Sequence, residues 1–392
     1  MAEHPIVIVG AGIGGLTVAL ALGRAGIDCL VVEQRTQIEE VGAGLQLSPN
    51  ASRILISLGL GSVLSRYAST PNRLCIRSGS SGMELAQMPL GDAIGARFQA
   101  PYWTIHRADL QTALLDAVRR LNNIRLIFGR KISKIVRRSS SDFIVGFESA
   151  TTQEDVTCRA LIGADGLWSD TAKLIGDDTK PEFLGYQAWR GLVPIEHWPK
   201  TLTSTDSCLW LGHKAHIVHY PVKRGTAINI VAVTSDRENR PGWSHPGNRS
   251  MILDRFKTWT PQAYDAIKSV QGWTIWSLFD RFERPKWSDH SITLLGDAAH
   301  PVLPFLAQGA ALAIEDGAAL TQQILQTPQD ISGALQRYET LRRPRVTRIQ
   351  NAARSTGRAL HLGWPFDQIR NKIIRTTNFE TRYDWIYQYR ID

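Results

Sequence analysis

The residues best placed by type and spacing to move a proton lie in His216-Ile-Val-His219-Tyr220-Pro221. On an extended strand, side chains alternate between faces, so His216, Val218 and Tyr220 share one face and His219 takes the other. Imidazole changes charge near neutral pH, and with a tyrosine beside it could deprotonate and orient a phenol. Losing that proton would make the aromatic ring richer in electrons. The competing reading is a histidine that only satisfies the packing of its strand. Arg190, in Tyr186-Gln-Ala-Trp-Arg190-Gly191, could pair with a substrate carboxylate or serve packing alone.

A second constellation sits at the N-terminus, where Gly10-Ala-Gly12-Ile-Gly-Gly15 follows the run Pro5-Ile-Val-Ile-Val. Gly10 permits a tight turn, Gly12 lets backbone N–H groups approach a pyrophosphate, and Gly15 lets helix and strand pack closely. The helix that follows offers the positive end of its dipole to an anion. Glu33 closes the next apolar run, about 20 residues on, where a carboxylate can bind a ribose hydroxyl. Together these predict dinucleotide binding, without deciding between a flavin and a nicotinamide.

The elements that must carry these residues are legible as alternating textures. Pro5–Val9 and Cys29–Glu33 read as buried parallel strands around a helix over Leu16–Ala25. Leu110, Leu114, Val118 and Leu121 recur at helical spacing across Ala108–Leu121. Ile124–Phe128, Ile132–Val136 and Phe143–Phe147 read as strands, with a turn at Ser139–Asp142. After about residue 180, short alternating strands around Gln187–Val193, Ser207–Leu211, His216–Pro221 and Ile228–Val233 predict an antiparallel sheet with one covered face. Ser291–Leu295 returns to a buried-strand texture, followed by a helix over Gln308–Gln326. The expected fold is α/β, with a Rossmann-like nucleotide-binding domain contributed by residues 1–180 and 286–392. An antiparallel-sheet substrate domain, 181–285, is inserted between them, and the chain ends in helices.

Composition narrows the class further. The 392 residues exceed the size at which one core usually stops growing, so two packed domains are expected. No apolar run is long enough to span a bilayer, and the glycine-broken N-terminus lacks the basic flank of a signal peptide. Cys29, Cys75, Cys158 and Cys208 show no metal-ligand spacing. They are expected as four buried thiols in a cytoplasmic protein with no metal site. The net charge of +9 is partly concentrated in Arg342, Arg343, Arg345, Arg348, Arg354 and Arg358, on a helical region expected to break at Pro344. A solvated face or a subunit contact is the expected role of this cluster, with attraction of anionic ligands as the alternative. No nucleic-acid-binding module accompanies it.

Two further motifs, Leu161-Ile-Gly-Ala-Asp165-Gly166 and Leu294-Leu-Gly296-Asp297-Ala-Ala-His300-Pro301, each place Gly and Asp after an apolar run. In this order and so far apart, with the N-terminal glycines, they resemble the aromatic hydroxylases of the FAD-dependent monooxygenase superfamily. The resemblance spans nearly the whole chain. It implies that the cofactor is FAD, that Asp165 lies near flavin and nicotinamide, and that Asp297 binds the ribityl and ribose region. Gly42-Ala-Gly44-Leu-Gln-Leu-Ser-Pro49-Asn50 resembles the segment beside the isoalloxazine, and Arg107 is a flavin contact by similarity. Arg35, close behind Glu33, joins the expected cofactor set. Pro304-Phe-Leu-Ala-Gln308-Gly309-Ala310 through Asp316 resembles the salicylate hydroxylase branch, near the 3-hydroxybenzoate 6-hydroxylases and 6-hydroxynicotinate 3-monooxygenases. There Gln308, Gly309 and Ala310 would start a helix whose positive end stabilises reduced flavin. Ala311 departs from the Asn of many aromatic hydroxylases. Pro304 stands where the 3-hydroxybenzoate 6-hydroxylases have a substrate-side Gln, which weakens that substrate assignment.

The activity this implies is hydroxylation of a small aromatic acid or phenol. NADH or NADPH would bind transiently and reduce FAD, dioxygen would give a flavin hydroperoxide, and the activated ring would attack it. His216 and Tyr220 would be catalytic, with Arg190 and Pro304 on the substrate side. A flavin reductase without oxygen insertion and a non-catalytic flavin-sensing protein are the alternatives. A homodimer is left open.

Overall fold

The computed structural model describes residues 4–37, 43–138, 142–149, 151–177, 179–236, 244–281 and 284–391. Most of the turn expected at Ser139–Asp142, and Gly42 of the flavin-side segment, therefore lie outside the described residues.

One sheet draws on both ends of the chain. Ile292–Leu294, Ala160–Gly163, Ile6–Val9, Cys29–Glu33 and Ile124–Phe128 lie side by side and parallel, with Ser288–Asp289 as an antiparallel edge. The apolar runs of the inner strands Ala160–Gly163, Ile6–Val9 and Cys29–Val32 reflect burial on both faces, whereas the edge strand Ile124–Phe128 carries an exposed Arg125. Ile6 and Ile8 pack on helices Ile13–Arg24, Arg107–Arg119 and Gly309–Gln326, whereas Val7 and Val9 pack on Ile132, Phe143 and Val145 of a three-stranded sheet. The first helix begins three residues before the expected Leu16, because Gly14 and Gly15 belong to it. Gly15 is there for contact: a Cβ would lie 2.0 Å from the Gly10 carbonyl oxygen.

The second sheet has eight strands. It runs His245–Gly247, Trp273–Asp280, Glu182–Pro194, Ala227–Ser235, Ala215–Val222, Ser207–Gly212, Arg73–Ser78, Glu84–Pro89. The last two come from the stretch assigned to the first domain, and Arg73–Ser78 pairs parallel with Ser207–Gly212. That pairing overturns the expectation of four thiols. It sets Cys75 directly opposite Cys208, their Cα atoms 4.8 Å apart, and the two form a disulfide. Cys29 and Cys158 remain free and buried. Ile252, Phe256 and Ile267, from helices Arg249–Phe256 and Pro261–Ser269, cover one face of this sheet.

Two expectations about the arginine-rich helix are corrected. It runs unbroken from Ile331 to Leu360 through Pro344. Its arginines are largely not a solvated face either. Arg342 is fully buried, with Nε 2.8 Å from Asp316 and an Nη nitrogen 2.7 Å from Glu315; Arg345 also pairs with Glu315 at 2.7 Å. Arg354 reaches Asp280 at 2.6 Å, Arg343 pairs with Glu339, and only Arg348 and Arg358 of the six are exposed. These anchors on both sides of Pro344 supply tertiary energy that outweighs the local cost of a proline in a helix. No helix among the described residues is long and apolar enough to cross a membrane, and none of their side chains cluster as a metal site.

Candidate active site

A cleft of about 700 Å³ runs from the N-terminal glycine turn to the face of the eight-stranded sheet opposite helices Arg249–Phe256 and Pro261–Ser269. At its first end Gly10 has φ +103°, and a Cβ there would lie 2.5 Å from the Ala164 carbonyl oxygen. A Cβ on Gly12 would meet no protein atom, and helix Ile13–Arg24 starts there with no side-chain cap. Its free N–H groups thus point at open space, the geometry that accepts an anion. Glu33 braces the turn: its carboxylate accepts from Ala11 N at 2.8 Å and Arg35 N at 3.0 Å. Both Glu33 and Arg35 line the cleft.

Asp297 projects into the middle of the cleft, and no protein group among the described residues donates to its carboxylate. The surrounding bulk pushes its pKa up, opposed by the charges of His300 and Arg107. Arg107 lines the same stretch, its own pKa lowered by burial. A glycine turn packed tight at Gly10 but open over Gly12, an uncapped helix and a carboxylate that no described residue donates to together fit a bound dinucleotide with hydroxyls to donate.

Asp165 also lines the cleft, but its carboxylate is engaged. It accepts from Ser169 Oγ at 2.6 Å and from Thr171 N and Oγ1 at 2.9 Å each, shaping the turn after Gly166. Gly309 and Ala310 face the cleft at the uncapped start of helix Gly309–Gln326. Gln308 and Gly15 do not line it. Gln308 works from behind, donating to Ser48 Oγ at 3.0 Å and accepting from Asn50 at 3.1 Å. Gly44 faces the cleft, donates to Asn229 Oδ1 at 2.6 Å, and leaves room for Tyr220, whose ring a Cβ would meet at 2.7 Å.

The sheet wall carries His216, Val218, Tyr220 and Arg190, with Pro304 and Trp276 beside them. His219 is turned away, accepting from Trp210 Nε1 at 3.1 Å and packed on Trp198; burial and the Arg77 charge push its pKa down to about 3. His216 is held well below its ordinary pKa by burial and by His361. Tyr220 is raised by burial, with Arg190 and a hydrogen bond to Gln46 opposing. The Arg190 guanidinium lies 5.1 Å from the Trp276 ring, no carboxylate among the described residues pairs with it, and its Nε has no partner. Burial lowers its pKa to about 10, which leaves it cationic at neutral pH.

Sequence reasoning missed three contributors. His361 approaches His216 from 145 positions away, with Nε2 2.7 Å from Nδ1, and no local motif marks it. Gln46 and Trp276 enter through strand register alone. The ion pairs of Glu315 and Asp316 with Arg342 have a faint signal in the Glu315-Asp316 step at helical spacing from the helix start.

Residues 3–353 match the family model described as "FAD binding domain". A 3-amino-4-hydroxybenzoate 2-monooxygenase of Streptomyces platensis is 35% identical, over 97% of this chain and 95% of its own. The 3-hydroxybenzoate 6-hydroxylase 1 of Aquipseudomonas alcaligenes is 32% identical over 98% of each chain. A salicylate hydroxylase substrate complex has the same fold, with a TM-score of 0.84 at 24% identity, covering 100% of this chain and 96% of the other.

Proposed function

From the premise that the chain belongs to the FAD binding domain family, we propose that it hydroxylates a small aromatic acid carrying a phenolic hydroxyl, with Arg190 holding the carboxylate. It is an FAD-dependent monooxygenase, as its near full-length relatives are. The substrate reading is carried by one observation. Arg190 is a cation with no anionic partner among the described residues, in the same cavity as His216 and Tyr220. Taking a guanidinium further out of water is costly unless an anion pairs with it, and a carboxylate ligand entering the cavity would supply that partner.

Bound FAD, reduced by NADH or NADPH, supplies oxygen transfer from dioxygen. The protein's residues do the rest. Helix Ile13–Arg24, Asp297 and Arg107 bind the cofactor, and helix Gly309–Gln326 offers its positive end to it. Arg190 fixes the ring by its carboxylate, and Val218, Pro304 and Trp276 keep water from it. His216 accepts the phenolic proton, and Tyr220 orients the oxygen that loses it. Burial disfavours an isolated imidazolium at His216, but a phenolate formed beside it compensates, because the two charges arise as a pair.

The proposal is tested with a panel of hydroxylated aromatic acids, salicylate included. NADH oxidation should be slow alone and strongly stimulated by a true substrate, with product and oxygen uptake matching NADH consumed. In Arg190→Met the KM for that acid should rise about 10- to 100-fold, the loss of a charge-assisted hydrogen bond of about 1.5–3 kcal/mol. A panel giving neither stimulation nor a change in the flavin spectrum, or an unchanged KM in the variant, overturns the reading.

Asp297→Ala tests the cofactor assignment. Losing a cleft carboxylate that no described residue donates to should weaken FAD binding at least about tenfold. FAD content after gel filtration and fluorescence titration of the apoprotein measure it. Full occupancy in the variant would remove Asp297 from the site.

A further inference from the structure

His216 does not stand alone. Its Nδ1 lies 2.7 Å from Nε2 of His361, the rings stacked at 29° with centroids 5.0 Å apart. His361 caps the C-terminal end of helix Ile331–Leu360 and is itself fixed on several sides. Tyr186 lies against its ring at 4.9 Å and Phe305 at 5.8 Å. Lys214 N donates to its carbonyl oxygen at 3.2 Å, and Arg370 donates to the neighbouring Leu360 carbonyl at 2.9 Å. A ring so clamped is a fixed hydrogen-bonding partner rather than a passing contact.

A contact of 2.7 Å between two ring nitrogens holds one proton, so one histidine donates and the other accepts. Either assignment leaves His361 Nδ1, which is buried and unpartnered, unsatisfied. The choice therefore needs both ends: His361 must be there to accept from a buried Nδ1–H, and the side where His216 meets the cavity then decides between the two arrangements. That cavity contains the positive charge of Arg190, which favours a bare lone pair on His216 Nε2 over an N–H dipole. With Nε2 bare, the proton must sit on Nδ1.

We infer that His361 is a positioning residue that accepts a hydrogen bond from His216 Nδ1–H and so keeps His216 Nε2 free to take the substrate's phenolic proton. This rests on the reading of His216 as the proton acceptor. In the step, the substrate O–H bond breaks, an Nε2–H bond forms on His216, and the electron pair stays on the phenolic oxygen. The Nδ1–H bond remains throughout, pointed at a neutral acceptor that stabilises the imidazolium as it forms. His361 remains available as an acceptor because burial and the Arg370 charge hold its own pKa down to about 4. The groups around the pair are Tyr186 and Phe305 against His361, Phe305 and Tyr220 beside His216, Arg370 at the helix end and Arg190 across the cavity; of these the two arginines are charged at neutral pH.

The test reads the tautomer directly, without turnover. In FAD-loaded protein labelled with 15N in its histidines, the ring nitrogens of His216 are assigned by their loss in His216→Ala. The expected result is His216 protonated on Nδ1 and bare on Nε2. In His361→Phe the buried Nδ1–H would lose its acceptor, a cost of about 1–3 kcal/mol that outweighs the pull of Arg190, so the proton should move toward Nε2, the position imidazole favours in water, while His361→Gln, which keeps an acceptor, should retain the original tautomer. Product per NADH should fall in His361→Phe with KM little changed and recover in His361→Gln. The double variant with His216→Ala should be no worse than His216→Ala alone, as for residues acting through one another. A wild-type His216 protonated on Nε2, an unmoved tautomer in His361→Phe, or additive losses in the double variant would overturn the role of His361. If His216→Ala itself couples normally, the proton-acceptor reading fails, and the tautomer data still judge the contact separately.

Discussion

Arg342→Met should lower the unfolding free energy by about 3–5 kcal/mol, the cost of removing one partner from a buried ion-paired group. Arg342 is fully buried between Glu315 and Asp316, both also fully buried. Asp316 keeps His300 Nε2 at 2.6 Å and Gly296 N at 2.9 Å, and Glu315 keeps Arg345 and Asn50, so neither carboxylate is left alone. Each nonetheless loses the guanidinium that most offset its burial. Because Gly296 precedes Asp297, the same variant should also release FAD more readily. Denaturant unfolding at fixed FAD concentration measures the first effect, and FAD content after gel filtration the second. Arg358→Met, on an exposed stretch of the same helix, should stay within about 0.5 kcal/mol of wild type. A loss below about 1 kcal/mol for Arg342→Met would mean that the network contributes position but little stability.

The acid limb of stability follows from the same groups. Burial alone would raise the pKa of Asp316, but His300 and Arg342 outweigh it and hold it at about 2, below the ordinary value near 3.9. A carboxyl depressed on folding contributes fully above its unfolded pKa and loses that contribution as pH falls through the folded value. Asp316 therefore stabilises the fold down to about pH 4 and progressively less towards pH 2.

What was legible in the sequence was what the chain expresses locally. Strand Cys29–Glu33 matches the expected bounds because an inner parallel strand is an apolar run ending where the apolar residues end, and edge strand Ile124–Phe128 matches although Arg125 interrupts it. The separation of His216 and Tyr220 from His219 follows from strand alternation and needs no knowledge of the rest of the fold. What depends on distant pairing was hidden. Arg73–Ser78 joins the second sheet through a parallel register that nothing in its own residues announces, and the Cys75–Cys208 bond follows from that register. Pro344 reads as a break by local rules, and the burial of Arg342 beside it, which decides otherwise, is a tertiary fact. His361 is the clearest case: a histidine at a helix end has no spacing signature, and its meaning comes entirely from the ring it meets.

His216→Ala should keep its FAD and still be reduced by NADH when substrate is bound, because no cofactor-binding element of the cleft depends on that side chain. Hydroxylation should fail instead. A ring that keeps its phenolic proton is a poorer nucleophile, so NADH is still consumed while hydrogen peroxide replaces hydroxylated product. General-base catalysis contributes about 10²–10⁴-fold, so the oxygen-transfer step should slow by at least about tenfold. His219→Ala supplies the control from the opposite face of the same strand. It leaves the buried Trp210 N–H without its acceptor, a cost of about 1–3 kcal/mol in stability, and should leave coupling unchanged. The pH dependence separates the proton acceptor from an ordinary exposed imidazole. A histidine must be neutral to accept, and burial holds the His216 pKa well below 6.5. Wild-type coupling should therefore persist as pH falls through 6.5 and decline only at more acidic values. Product and peroxide per NADH, measured in both variants and across that range, carry the decision: if His216→Ala couples like wild type, the histidine serves only its strand, and the proton goes to another group in the cavity.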